Sequence, residues 1–143
     1  MRWLGAQVAL AGAAAAAMLV VAGLVMGAGA ATTLDDPAQL GRLVGAAVVT
    51  VPGVLVVRGV ATAVLGLAPR AAPLVWVYVA YVGTVGMFGA LLPAGTDVLS
   101  PFTHLPTLPA EPMAWPPVLA VTGVAVLLVV AGLAGVRRRD LEG

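Results

Sequence analysis

LVGAAVVTVPGVLVVRGVATAVLGLA, residues 43–68, carries a single charged side chain, Arg58, in an otherwise apolar run. A helix rises 1.5 Å per residue, so a run of this length crosses a hydrocarbon core of about 30 Å, which takes about 20 residues. Working outward, the same reading holds for the runs over 4–31, 72–92 and 117–136. Asp36-Pro37-Ala38-Gln39 ahead of the quoted run is a helix start: a capping Asp, Pro at the first helical position and Gln three residues after the cap. The second span is therefore expected over 37–68. The chain reads as an all-α polytopic membrane protein, one transmembrane domain over 1–143, with four transmembrane helices and an outer loop over 93–116.

Composition gives the same class. The chain is 62% hydrophobic and 9% charged, with mean hydropathy +1.09, where a soluble domain has about a quarter of its residues charged. Cysteine is absent and His104 is the one histidine, which excludes disulfides, thiolate chemistry and a multi-histidine metal site. There is no lysine, hence no phosphate loop of the G-x-x-x-x-G-K type. Asp35, Asp36, Asp97 and Glu111 are loop carboxylates rather than a catalytic constellation. No catalytic residue, metal ligand, cofactor site or nucleic-acid surface is expected; the partner that composition itself names is membrane lipid. The first run ends in Ala28-Gly29-Ala30-Ala31, like a signal-peptide cleavage site. Its uncharged length is about twice that of a signal h-region of 7–15 residues, which makes it a retained helix.

The arginines orient the chain. With both termini in the cytoplasm, Arg2, Arg70 and the Arg137, Arg138, Arg139 cluster lie inside and Arg42 outside, the positive-inside pattern. Trp3 and Trp76 then fall near the inner interface and Trp115 near the outer one. Pro73 and Pro117 suit first helical turns, Pro93 should end the third span, and Pro52 should kink the second.

Small residues set helix association in lipid. Gly23 and Gly27, Gly41 and Gly45, and above all Gly83, Gly86 and Gly89, which share one face of the third span, are candidate packing positions in a tight or oligomeric bundle. Arg58 lies about 15 Å from the inner end of its span. A charge there costs about 2.5–3.5 kcal/mol and ordinarily faces protein or water. Thr50, Arg58 and Thr62 fall on one stripe, which reads as the lining of a substrate path or a contact with an acidic or neighbouring subunit; the alternative is an arginine snorkelling to the inner surface. In the outer loop, Ser100 and Pro101 make a helix start, Phe102 and Leu105 can dip into the interface beside His104, and the prolines from Pro106 onward forbid a long helix. This predicts a short re-entrant or interfacial helix followed by a stiff return.

The stretch DPAQLGRLVGAA (36–47), LGLAPR (65–70), the loop LSPFTHLPTLP (99–109) and the ending AGLAGVRRRDLEG (131–143) together resemble the C-terminal end of actinobacterial type-2 ABC exporter permeases, most of all those of the polyketide antibiotic exporter type. The resemblance covers nearly the whole chain in order. It implies a permease in the plasma membrane that works with a separate ATPase subunit by alternating access and exports hydrophobic compounds. A half-transporter of this kind has six spans, and the four here suit the last four, with residues 100–105 in the outer re-entrant element. The first two spans, the cytoplasmic coupling helices and the other six-span half have no counterpart, and Arg58 stands where an apolar residue is expected. The resemblance thus implies a truncated product, a fragment or one piece of a split permease, completed by further spans or a second copy. A small non-transporting membrane scaffold is the rival reading.

The orientation is directly testable, because a chain without cysteine gives no labelling background. A cysteine at Ala110 is expected to react with an impermeant maleimide on intact cells; labelling only after permeabilisation would reverse the topology.

Overall fold

The computed structural model describes residues 2–142, with side chains from 5 to 138. The interface expected at Trp3 and the charges of Arg2 and Arg139 lie outside the described side chains. Four α-helices account for most of the chain: α1 (Arg2–Thr33), α2 (Ala38–Leu67), α3 (Ala72–Phe88) and α4 (Trp115–Glu142). There is no strand among the described residues. Four segments, Gly5–Thr33, Ala38–Leu67, Pro69–Leu91 and Trp115–Arg138, are long and apolar enough to cross a membrane. The chain is a multi-pass membrane protein.

Local chemistry explains the helix ends. Asp36 does cap α2: its Oδ1 accepts the Ala38 N–H at 3.0 Å, and its Oδ2 accepts the Gln39 side-chain amide at 3.1 Å. Asp35 turns the chain with φ 51°, a left-handed conformation that Asp tolerates. Arg42 sits 3.6 Å from the Asp36 carboxylate with both side chains largely in solvent, a pair of small energetic value. α2 runs unbroken through Pro52. A 3-10 turn at Pro69–Ala71 leads into α3, whose first turn holds Pro73. α3 stops at Phe88, earlier than the expected residue 92. A second 3-10 turn, Gly89–Leu91, tightens its end, and Leu92 is extended (φ −88°, ψ 152°), as a residue before proline must be. Pro116 and Pro117 occupy the first turn of α4, where their missing N–H groups have no intrahelical role.

The bundle is built around α2. Its buried residues are Val49, Pro52, Gly53, Val56, Gly59, Ala63 and Gly66, a seven-residue alternation along one stripe. α4 answers with Val118, Val121, Ala125, Gly132 and Gly135, all buried, and with Leu128 packed on them. A Cβ on Gly59 would lie 2.9 Å from Leu128 Cβ and 3.1 Å from the Ala125 carbonyl oxygen; one on Gly66 would fall on the Gly132 backbone, and one on Gly135 would lie 2.6 Å from the Gly66 carbonyl. Position plus about 66–70 matches α2 to α4 throughout, so the two helices run parallel with a heptad seam. The seam narrows to bare backbone contact at the end that carries the chain termini. On the opposite flank α1 packs antiparallel: a Cβ on Gly23 would meet Ala47 Cβ at 2.7 Å, and one on Gly27 would meet Leu40 Cα at 3.0 Å. α3 is peripheral and buries only Val82 and Val85.

The glycine expectations divide accordingly. Gly23 and Gly27 are packing positions. Gly41 and Gly45 face open space, and so do Gly83 and Gly86; Gly89 has only Val85 Cγ1 at 4.0 Å. Among the described residues the Gly83, Gly86, Gly89 face therefore packs against no other helix. The close approach is made instead by glycines on α2 and α4, where the facing partner is itself small. Leucine at Gly132 is expected to lower stability by about 1–3 kcal/mol or more, as overpacked cores do, while leucine at Gly83 changes it by less than about 0.5 kcal/mol; helix loss during detergent denaturation of the purified chain measures both.

Candidate functional site

The loop between α3 and α4 does not lie on the bundle surface. Ser100 is extended (φ −82°, ψ 123°) because Pro101 follows it, and Leu105 is extended (φ −97°, ψ 146°) because Pro106 follows it. Between them only one turn fits, the 3-10 turn Pro101–His104. The expected helix is therefore present in its shortest form. Its apolar side chains pack into the bundle, while Thr103 and His104 are exposed. Leu105 is buried in a cluster with Val49, Val56, Val118, Val121 and Ala125, and the Phe102 ring occupies the space where Gly53 lacks a side chain. Gly53 is at the midpoint of α2. On the other side, Tyr78 donates its hydroxyl hydrogen to the Leu99 carbonyl at 3.1 Å, and Tyr81 donates to the Thr96 carbonyl. Tyr78 is ten residues from the outer end of α3, about 15 Å along the axis. The segment is thus re-entrant, reaching about half-way down the helices.

Irregular backbone at that depth must find its hydrogen bonds within the protein. The Ser100 N–H donates to the Asp97 carbonyl at 2.9 Å. Thr103 donates its hydroxyl hydrogen to the Ser100 and Asp97 carbonyls, and His104 Nδ1 lies 3.1 Å from the Ser100 carbonyl. His104 Nδ1 also lies 3.3 Å from Thr103 Oγ1, so the turn's own polar groups hold the ring. Farther along, the Thr107 N–H donates to Glu111 Oε2 at 3.1 Å, which holds that carboxyl below its ordinary pKa. One polar atom is left over. Ser100 is 1% exposed and its Oγ has no partner.

That hydroxyl borders a pocket of about 460 Å³ between the re-entrant turn and α4, lined by Val56, Ser100, Pro101, His104, Pro117 and Val121 among others. An apolar cleft of this size with a few polar groups is the usual form of a small-molecule site. Val124 and Leu99, both exposed, also line it.

Arg58 forms a second polar feature. Its carbon stem lies across α1, with Nη1 where a Cβ on Gly12 would come within 2.9 Å. Nη2 donates to the Gln7 carbonyl at 3.2 Å, its one hydrogen bond among the described residues, and Nη1 is buried without a partner. The guanidinium thus touches α1 at the Gly12 position and at the Gln7 carbonyl together. Thr62 donates back to the Arg58 carbonyl and Thr50 to the Ala46 carbonyl, so both threonine protons are spent within α2. Thr62 and Arg58 border one cavity; Thr50 does not.

The structure thus brings Ser100, Pro101, Phe102 and His104 together with Val56 and the start of α4, and places Arg58 about half a turn and Thr62 somewhat under two turns farther along α2. It does not join Thr50 or Gly83, Gly86 and Gly89 to either place. Sequence reasoning missed Tyr78 and Tyr81, two phenols on a lipid-class helix whose need for partners was the available signal. It also missed Gly53, Gly59, Gly66, Gly132 and Gly135, whose signal was the seven-residue recurrence of small residues in two spans.

A family model described as the C-terminal domain of the multidrug efflux system permease Rv1217c matches residues 1–137. Among curated proteins, the multidrug efflux system permease protein Rv1217c of Mycobacterium tuberculosis (strain ATCC 25618 / H37Rv) is 30% identical over 144 residues, covering 98% of this chain and 26% of that protein. The chain therefore spans about a quarter of the length of this curated relative. Both findings bear out the resemblance to the C-terminal portion of an exporter permease.

Tyr78→Phe and Tyr81→Phe each remove one donor from a carbonyl of the re-entrant segment. Each is expected to cost about 0.5–1.5 kcal/mol, read from detergent denaturation, and to raise the reactivity of a cysteine placed at Val98. Unchanged reactivity in both would mean that the phenols do not anchor the segment.

Proposed function

The chain belongs to the family of the C-terminal domain of the Rv1217c-type multidrug efflux permease, and we propose that it serves as a permease component of an ATP-driven exporter of hydrophobic compounds, antibiotics among them. The observation that carries this reading is the re-entrant turn at Pro101–His104, docked at mid-bundle on Gly53 and bordering an apolar pocket. A loop held at membrane depth by side chains of α2, α3 and α4 gives a solute a walled surface away from lipid. Ser100 Oγ and His104 Nε2 supply the polar contacts; the remaining wall selects for apolar bulk.

On this reading the chain is not itself an enzyme. With no lysine in the sequence it has no phosphate loop, so ATP is bound and hydrolysed by a separate ATPase subunit. The relative is about four times as long, so the four spans work beside further permease spans or a second copy. The setting is the cell membrane with both termini cytoplasmic, which puts the re-entrant turn on the outer side and the Pro69–Ala71 turn and the arginine-rich end on the ATPase side.

Efflux of a hydrophobic fluorescent dye from cells, with the chain expressed together with the remaining permease spans and the ATPase, tests the proposal. Ala120→Trp, which fills the pocket from α4, is expected to cut the rate about tenfold at unchanged membrane level, and Ser100→Ala by a smaller factor; a tenfold loss corresponds to about 1.4 kcal/mol. Full efflux by Ala120→Trp, or by cells lacking the chain, would favour the non-transporting scaffold.

A further inference from the structure

Arg58 separates two clefts. On its termini side lies a groove of about 430 Å³ between α1, α2 and α4, bordered by Gln7, Ala11, Thr62, Leu65 and Val136. On its other side lies a cleft of about 370 Å³ with small apolar walls, Gly12, Ala13, Ala16, Leu55 and Val129. The groove ends at Val136, and the next two residues, Arg137 and Arg138, are exposed. We infer that this groove is a binding site for an anionic phospholipid, with the phosphate on Arg58 at its head, the arginines after Val136 at its mouth and an acyl chain in the apolar cleft beyond.

Charge decides the occupant. The acidic residues of the sequence are Asp35, Asp36, Asp97, Glu111, Asp140 and Glu142, so none lies within the spans beside Arg58. The guanidinium has five N–H donors and, among the described residues, makes one hydrogen bond, to a carbonyl already in the α1 ladder. Its buried Nη1 has no partner. A membrane-embedded charge in that state is costly. A phosphate that accepts two of its N–H groups removes the deficit, with the short bidentate geometry that guanidinium and phosphate share. Arg58 itself lines this groove. Gln7 and Gly12 lie five and ten residues from the start of α1, so the guanidinium that touches both sets the phosphate about two turns inside the helix ends, a depth open to a headgroup drawn between helices. Basic pockets between membrane helices hold anionic headgroups in this way. A free phosphate ion satisfies the arginine equally but leaves the apolar cleft unused, so the two clefts together favour the lipid.

The test uses the full chain reconstituted in phosphatidylcholine vesicles with trace spin-labelled phosphatidylglycerol or spin-labelled phosphatidylcholine. The immobilised fraction of each gives their relative association. Wild type is expected to prefer phosphatidylglycerol about fivefold, the factor expected of roughly one well-placed basic side chain. Arg58→Gln is expected to abolish the preference. Val136→Trp, which obstructs the groove but keeps every arginine, is expected to do the same, and it carries the test should Arg58→Gln fail to fold. Retained preference in Val136→Trp would assign the selectivity to the exposed arginines alone and overturn the site. Displacement of labelled phosphatidylglycerol by millimolar inorganic phosphate at constant ionic strength would overturn the lipid in favour of a soluble anion.

Discussion

Backbone contact between α2 and α4 is the constraint on which the rest of the structure depends. In hydrocarbon, apolar side chains gain nothing by leaving lipid, so helices associate where surfaces fit closely. At Gly66, Gly132 and Gly135 nothing but hydrogen lies between the two backbones. That closeness pins α2 and α4 parallel at the termini end. Toward the loop end the seam residues grow, through Gly59 and Leu128 to Val56, Val118 and Val121. The helices part there, and the opening is filled by Leu105 and Phe102 from the outer loop. The re-entrant turn is thus a consequence of a tapered seam as much as of its own prolines. α1 and α3 are added to this pair: α1 through Gly23, Gly27 and the Arg58 tie, α3 through the two tyrosines that hold the loop.

How much of this was legible in the sequence depends on the range of the interaction. Spans were legible because hydrocarbon thickness fixes length and polarity residue by residue. The Asp36 cap and the extended conformations of Ser100 and Leu105 were legible because each is decided within three residues. The packing face was not. With 18 glycines, G-x-x-x-G pairs arise by chance, and Gly83, Gly86 and Gly89 have the spacing but meet no other helix of this chain among the described residues. What marks the true seam is agreement between two distant segments, Gly59–Gly66 spacing answered by Ala125–Gly132 spacing, which a single-helix pattern does not register. Arg58 was legible as an outlier, but its landing point on Gln7 follows from the α1–α2 register.

The polar features of this membrane domain lie where the bundle leaves gaps. Ser100 Oγ and Arg58 Nη1 are the two buried side-chain atoms without partners among the described residues, and each borders a cleft. Elsewhere hydroxyls bond back to their own helices, as Thr50, Thr62, Thr84 and Thr122 do. An unpartnered polar atom in hydrocarbon costs several kcal/mol, which is a reason to associate both positions with ligands from outside the chain: an apolar solute with a polar group at the loop end, an anionic lipid at the termini end. The first is the solute of the export function proposed above.

The central claim is that the outer loop is wedged into the α2–α4 seam at mid-bundle. Replacing Gly53 and Phe102 together by cysteine tests it most directly, since no native thiol competes and removal of the ring clears room for the new side chain at position 53. A bifunctional thiol reagent of short span should join the pair within one chain in membranes, visible as a mobility shift on protease cleavage between the two positions, while cysteines at 53 and Ala110 stay unjoined. Failure of the 53–102 pair with ready joining of the 53–110 pair would contradict the account and return residues 100–105 to the surface.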